Sequence, residues 1–216
     1  MITTLAADPF TLILVLVGMS LLPFVAMVGT SYLKLTVVFA LVRNALGIQS
    51  IPSNLVINAM ALILTFYIMA PRAQAAWEVL QQHEGKPMTR EVLVAAAEPL
   101  RAFLLQHTAE RDRAFFVRTA ERLWSEGEQP CVVDPQSFAV LLPAFTVSEL
   151  TRAFQIGFLV YLPFIVIDLI ISNILLAMGM MMVSPVTISL PFKLLLFVMV
   201  SGWTRLIQGL VQSYLQ

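Results

Sequence analysis

An all-α, membrane-associated protein made of helical hairpins with proline-kinked, broken helices is what this sequence predicts, on three observations. Of its 216 residues 59% are hydrophobic and only 12% charged, with a mean hydropathy of +0.86, whereas a soluble domain averages about 25% charged residues. The apolar residues gather into uncharged runs, and about 20 such residues suffice to cross a hydrocarbon core as a helix. Prolines, among them Pro163, Pro185 and Pro191, fall inside those runs. Lipid cannot satisfy the backbone groups they free, so broken helices of this kind must be covered by protein or line a cavity.

Charge separates the chain into three parts: residues 1–71 with two apolar helices, a soluble helical insert over 72–136, and an apolar hairpin over 137–216. The first apolar segment covers residues 9–33, between Asp8 and Lys34, and the second covers 44–71, between Arg43 and Arg72. No basic residue precedes the first run, so it reads as a retained helix and not as a cleaved signal peptide. Residues 72–134 hold about two thirds of the charges, mixed in sign, which marks a solvated segment. Within it a helix is expected over residues 73–82. Thr89 is placed to cap a second helix through Leu93, Ala97 and Leu100, with Pro99 as a kink or restart. Thr108 leads into Glu110 and Asp112, acids suited to a helix N-terminus, followed by Phe116, Ala120, Leu123 and Trp124 on one face. About 60 residues is marginal for an independent fold, so this hairpin or small bundle should pack on its neighbours.

The last third strains a simple membrane reading. Residues 153–167 are too short to span, and extension to 176 places Asp168 inside the apolar helix; Lys193 raises the same problem between Met182 and Trp203. A charge at the bilayer centre costs about 2.5–3.5 kcal/mol on insertion scales, and such groups face protein or water. These helices therefore look built for the interior of a multi-subunit assembly. Lys34 and Arg43 in the first connection place it in the cytoplasm by the positive-inside rule, which puts the insert and, after four crossings, both termini on the far side.

The function classes that composition disfavours are equally informative. The 13 basic and 13 acidic residues cancel and form no basic run, so nucleic acid is not an expected partner. Cys131 is the single cysteine and reads as an inert thiol; His83 and His107 lack companions at ligand spacing, so no metal or other cofactor is expected. No nucleophile elbow, zinc-binding helix or phosphate loop is present. Asp168 and Glu149 could be imagined as buried catalytic acids, but neither has a nucleophile near it in sequence. Polar contacts between helices are the simpler role for both, and a non-enzyme is expected. Ala153 and Gly157 have the small-x-x-x-small spacing of closely packed helices. Residues 178–182 read MGMMM. Thioethers are unbranched and polarizable, suited either to filling gaps or to closing around something of variable shape.

Residues 141–198, with the ordered motifs AFQIGF, MGMMM and SPVTISLPFK, and residues 30–52, with VRNALG, closely resemble the type III secretion export-gate family called SctR in injectisomes and FliP in flagella. The match covers nearly the whole chain outside the insert. The resemblance implies a non-enzymatic core subunit of the export apparatus that forms the inner-membrane gate for unfolded proteins. It implies a ring of about five copies, closed symmetry being the rule for homo-oligomers. Two sister subunits, SctS and SctT, complete that ring into a helical cone sitting largely above the membrane plane, with the SctU switch protein and the SctV export ring as further partners. Met180, Met181 and Met182 map onto the family's pore gasket, Glu149 onto a position tied to subunit assembly, and Lys193 onto the lysine of ISLPFK; Met178 keeps a packing role. The start of the chain resembles injectisome members, which lack the flagellar leader. A flagellar homologue is the alternative, and a small-solute transporter, motivated by Asp168 in a proline-broken helix, a more distant one.

Overall fold

The computed structural model describes residues 9–48, 51–83, 89–125 and 132–215; Cys131 lies outside them. Among the described residues there are eight α-helices and no strand: α1 (Pro9–Val28), α2 (Tyr32–Ala45), α3 (Asn54–Gln81), α4 (Arg90–His107), α5 (Glu110–Leu123), α6 (Phe138–Ala177), α7 (Pro185–Met199) and α8 (Gly202–Gln212).

The core is the seam between α2 and α6. Leu35, Val38, Phe39 and Val42 recur at helical spacing and are buried, opposite Leu141, Ala144, Phe145, Ala153 and Gly157 of α6. The pairs Gly29 with Leu142, Lys34 with Glu149, and Leu41 with Gly157 rise together in number, so the two helices run in the same direction. A Cβ on Gly157 would stand 2.2 Å from Leu41 Cδ1 and 3.1 Å from Leu41 Cβ. Only glycine permits this approach, and the small-residue spacing serves packing within one chain.

The α7–α8 arm folds back along α6. Asp168 meets Lys193, Phe164 meets Phe197 and Glu149 meets Tyr214, an antiparallel sequence of pairs. Between α7 and α8 the axis turns by 59°, at Ser201 in the left-handed region (φ 53°). Gly202 follows because a Cβ there would lie 2.3 Å from the Phe197 ring.

Several expected boundaries are corrected. The first apolar segment is not one straight helix: α1 ends at Val28 and α2 departs from it at 60°. Gly29 lies where a Cβ would be 3.0 Å from the Val25 carbonyl oxygen and 3.2 Å from Leu142, so the bend sits where the chain meets α6. Lys34 and Arg43, assigned to a cytoplasmic connection, both lie on α2, and Lys34 is buried. Lys34 is thus consumed by packing instead of signalling orientation. The helix expected over 73–82 is the end of α3, which begins behind the Ser53 cap and continues through Pro71 to Gln81. Pro99, Pro163 and Pro191 likewise sit inside continuous helices. Each removes one N–H yet keeps a φ compatible with the helix, which continues through it. Pro163 and Pro191 are therefore not helix breaks, whereas Pro185 occupies the first turn of α7, where a missing N–H costs nothing.

The insert packs on its neighbours, as its size requires: α4 lies against α3 and α6, and α5 against α6. Thr89 occupies the N-cap position of α4 without a side-chain bond. Thr108 closes α4 by donating to the Leu104 carbonyl (2.6 Å), leaving Ala109 as the N-cap of α5. Phe116 and Ala120 pack inward, while Leu123 and Trp124 are exposed.

Candidate functional site

The methionine run is a loop, and local chemistry puts it there. Gly179 takes φ +72°, its N–H bonds the Leu176 carbonyl (3.0 Å), and the Met180 N–H bonds the Leu175 carbonyl (2.9 Å). This is the left-handed glycine cap that ends a helix while satisfying its last carbonyls. Pro185 then opens α7. Between the two helices Met180, Met181 and Met182 protrude from the tip of the α6–α7 hairpin, Met181 82% exposed and Met182 fully so. Met178, the C-cap residue of α6, is also exposed.

An ionic clamp holds the hairpin below this tip. Lys193 Nζ lies 2.6 Å from Asp168 Oδ2, the Ser189 hydroxyl donates to Asp168 Oδ1 (2.5 Å), and Lys193 also donates to the Ala45 carbonyl (3.3 Å). The Ala45 carbonyl belongs to the last turn of α2, where the orphan acceptors and the negative end of the helix dipole favour a cation. Asp168 lies nine residues before Ala177, so the clamp sits about 14 Å down the helix from the loop at 1.5 Å per residue. The misplaced charges of the sequence thus find each other: Asp168 on α6 is neutralised by Lys193 on α7, with Ser189 one turn before it on the same face. Ser189 was not singled out from sequence, although its i, i+4 relation to Lys193 signals a shared face.

Glu149 anchors a second centre at the other end of α2. Its carboxylate is fully buried, lies 3.2 Å from Lys34 Nζ and 3.2 Å from Arg152 Nη1, and accepts from the Tyr214 hydroxyl. Lys34 sits 3.6 Å above the centroid of the Tyr214 ring. Arg152 also donates to the His107 carbonyl (2.9 Å), the last residue of α4. His107 packs against Phe103 and Tyr214. Burial lowers its pKa to about 4 from 6.5; Glu149 opposes the shift, and Lys34, Arg152 and Arg72 add to it. Burial and the neighbouring carboxylate push the Tyr214 phenol upward, so it remains a donor. Next along α6, Ser148 donates to Asp112 (2.7 Å) and accepts from the Ala109 N–H (3.0 Å), tying down the start of α5. One turn of α6 therefore joins α2, α4, α5 and the C-terminal residues.

The structure thus separates the sequence-nominated residues into an exposed methionine tip, a hairpin clamp and a buried junction, with Ala153 and Gly157 packing the seam between. The grouping of Lys34, His107 and Tyr214 around Glu149 was not legible in the sequence because these residues lie up to 115 positions from it; the available signals were Lys34 sharing a helical face with Val38 and Arg152 standing three residues after Glu149. Among the described residues no group of three or more His, Cys, Asp or Glu is placed to hold a metal ion.

α3 and α6 are long and apolar enough to cross a membrane, and the candidate spans number up to four if each bent pair counts as one. Exposed apolar side chains run along α6, including Phe154, Phe158, Leu162 and Ile170, and along α7, including Phe192 and Leu195.

Comparison with known proteins matches residues 15–210 to the FliP family. The chain is 53% identical to the Yop proteins translocation protein R of Yersinia pestis over 96% of its own length and 97% of that protein. It is 48% identical to the hypersensitivity response secretion protein HrcR of Ralstonia nicotianae, over 94% of this chain and 96% of that one. With the virulence protein YscR of Salmonella typhimurium the identity is 47%, over 98% and 99%.

Proposed function

The chain belongs to the FliP family, and from that premise we propose that it is a core subunit of a type III secretion export apparatus, forming the inner-membrane gate through which unfolded proteins pass. The names of its relatives, which speak of Yop translocation and of hypersensitivity-response secretion, support the injectisome form over the flagellar one. About five copies, arranged as a helical ring or cone, surround the path together with SctS and SctT, and the SctU switch protein and SctV export ring complete the machine. The soluble insert, residues 72–136, faces the periplasm, between the apolar regions 1–71 and 137–216. The role is structural and non-enzymatic.

The observation that carries this reading is the exposed tip of Met180, Met181 and Met182, presented by a glycine-capped helix and a proline-started one over an ionic clamp. Three thioethers from each copy, converging around a path, make a seal that is apolar enough to exclude ions and flexible enough to part around a polypeptide. The rigid clamp behind the loop lets the seal deform without opening the hairpin. Glu149 contributes to assembly indirectly in this scheme: it sets the angle at which α6 leaves the buried junction, and with it the face offered to the next copy.

Replacing Met180, Met181 and Met182 together with alanine should leave assembly intact and raise the permeability of the inner membrane to small ions and solutes. Unchanged permeability in a correctly assembled complex would sink the gasket.

A further inference from the structure

Where α7 turns into α8, the 59° bend lifts α8 away from α6. The gap is an apolar groove of about 610 Å³ floored by Ile156, Val160 and Phe164 of α6 and walled by Leu206, Gly209 and Leu210 of α8. Its volume falls among ordinary ligand clefts, which run from about 300 to 1,000 Å³. One charged residue lines it, Arg205, which is exposed and makes no ion pair among the described residues. Gly209 keeps the wall open: a Cβ there would meet nothing within 4 Å.

We propose that this groove is a binding site for an anionic phospholipid, with an acyl chain between α6 and α8 and the phosphate on Arg205. Charge chooses this occupant. An apolar slot with one guanidinium and no carboxylate in its lining complements a molecule with a long apolar tail and an anionic head, and the guanidinium fork matches phosphate oxygens. Basic pockets between membrane-inserted helices are a recurrent seat for anionic headgroups. The proposal concerns the bend and is independent of the methionine seal.

Trp203 lies beside the groove, against Phe39 and Phe197, and serves as the reporter. The assembled complex, in a Trp77→Phe, Trp124→Phe background, is reconstituted in bilayers containing phosphatidylglycerol or phosphatidylcholine with brominated acyl chains, and tryptophan quenching is compared. Bound lipid carried through purification is quantified in parallel by mass spectrometry. Brominated phosphatidylglycerol should quench more strongly than the zwitterionic lipid. Gly209→Leu, whose Cβ meets nothing within 4 Å in this chain, places an apolar side chain on the groove wall and should abolish the difference. Arg205→Gln should weaken retention of anionic lipid about tenfold, the scale of losing hydrogen bonds to a charged group, while tail-dependent quenching persists. Equal quenching by both lipids, or quenching that Gly209→Leu leaves untouched, overturns the site. So does a Gly209→Leu variant whose oligomer yield falls while its lipid content does not, because the groove would then be a subunit contact.

Discussion

At the scale of single residues, the protein's unusual feature is how it disposes of charge in an apolar chain. Two cations, Lys193 and Arg152, each satisfy a carbonyl in the last residue of another helix, Ala45 and His107, and each also contacts a carboxylate. Lys34 and Glu149 are both almost fully buried and depend on each other. Removing one partner of such a pair leaves an uncompensated buried charge, which costs about 3–5 kcal/mol. Glu149→Ala should lower stability by about that much and reduce oligomer recovery, whereas Lys34→Met with Glu149→Leu should recover a substantial part. Thermal unfolding of the purified single and double variants measures both, and additive losses would refute the pairing.

His107 supplies a pH signature at the same scale. Its folded pKa of about 4 lies below the ordinary 6.5, so the unfolded chain binds more protons and stability rises with pH between those values. Acidification from pH 7 to pH 5 should therefore lower the melting temperature, and His107→Gln should flatten this dependence. A variant with the same acid sensitivity as the parent would assign the effect elsewhere. The sequence alone marks His107 as a polar-face residue, and the structure buries it. Its burial depends on Phe103, four residues before it, and on Tyr214, which comes from the far end of the chain.

At the scale of elements, helix boundaries follow close approach more than proline. Six prolines, Pro23, Pro71, Pro99, Pro143, Pro163 and Pro191, lie within unbroken helices. The turns fall instead at Gly29, Gly179 and Gly202, each with a local cause: contact with α6, a left-handed cap, and the Phe197 ring. The α2–α6 seam is the tightest of these contacts. Gly157→Val should force Leu41 aside and cost about 1–3 kcal/mol, the usual penalty for overpacking, and Leu41→Ala should relieve part of it. Denaturation of the two variants and their combination provides the test, with no relief in the double variant counting against direct contact. The Ala153/Gly157 spacing was legible in the sequence because small residues one turn apart mark a close helix face. That the opposing helix belongs to the same chain was not, since spacing carries no information about the partner.

At the scale of the whole molecule, α6 sets the dimensions. Its 40 residues extend about 60 Å, roughly twice a hydrocarbon core of about 30 Å. One end carries the buried junction and the other the methionine tip, so the helix must project beyond any bilayer its apolar half enters. The exposed phenylalanines and leucines along it then require other proteins as well as lipid. A detergent-solubilised complex should accordingly have the mass of a ring of about five copies with sister subunits. A monomer or dimer would favour a transporter-like organisation.

The sequence alone determined the all-α class, the apolar regions on either side of a charged insert, and the methionine, glycine and proline chemistry that makes a capped helix, an exposed loop and a restarted helix. These are local matters, decided by residue type and by neighbours three or four positions away. The tertiary structure decided which charges pair, that α2 runs alongside α6, and that Lys34 is core and not loop. Those depend on groups well separated in the chain, 25 residues apart for Lys193 with Asp168 and 115 for Lys34 with Glu149. A buried charge in an apolar segment declares that it needs a partner, but only the fold can bring that partner within 3 Å.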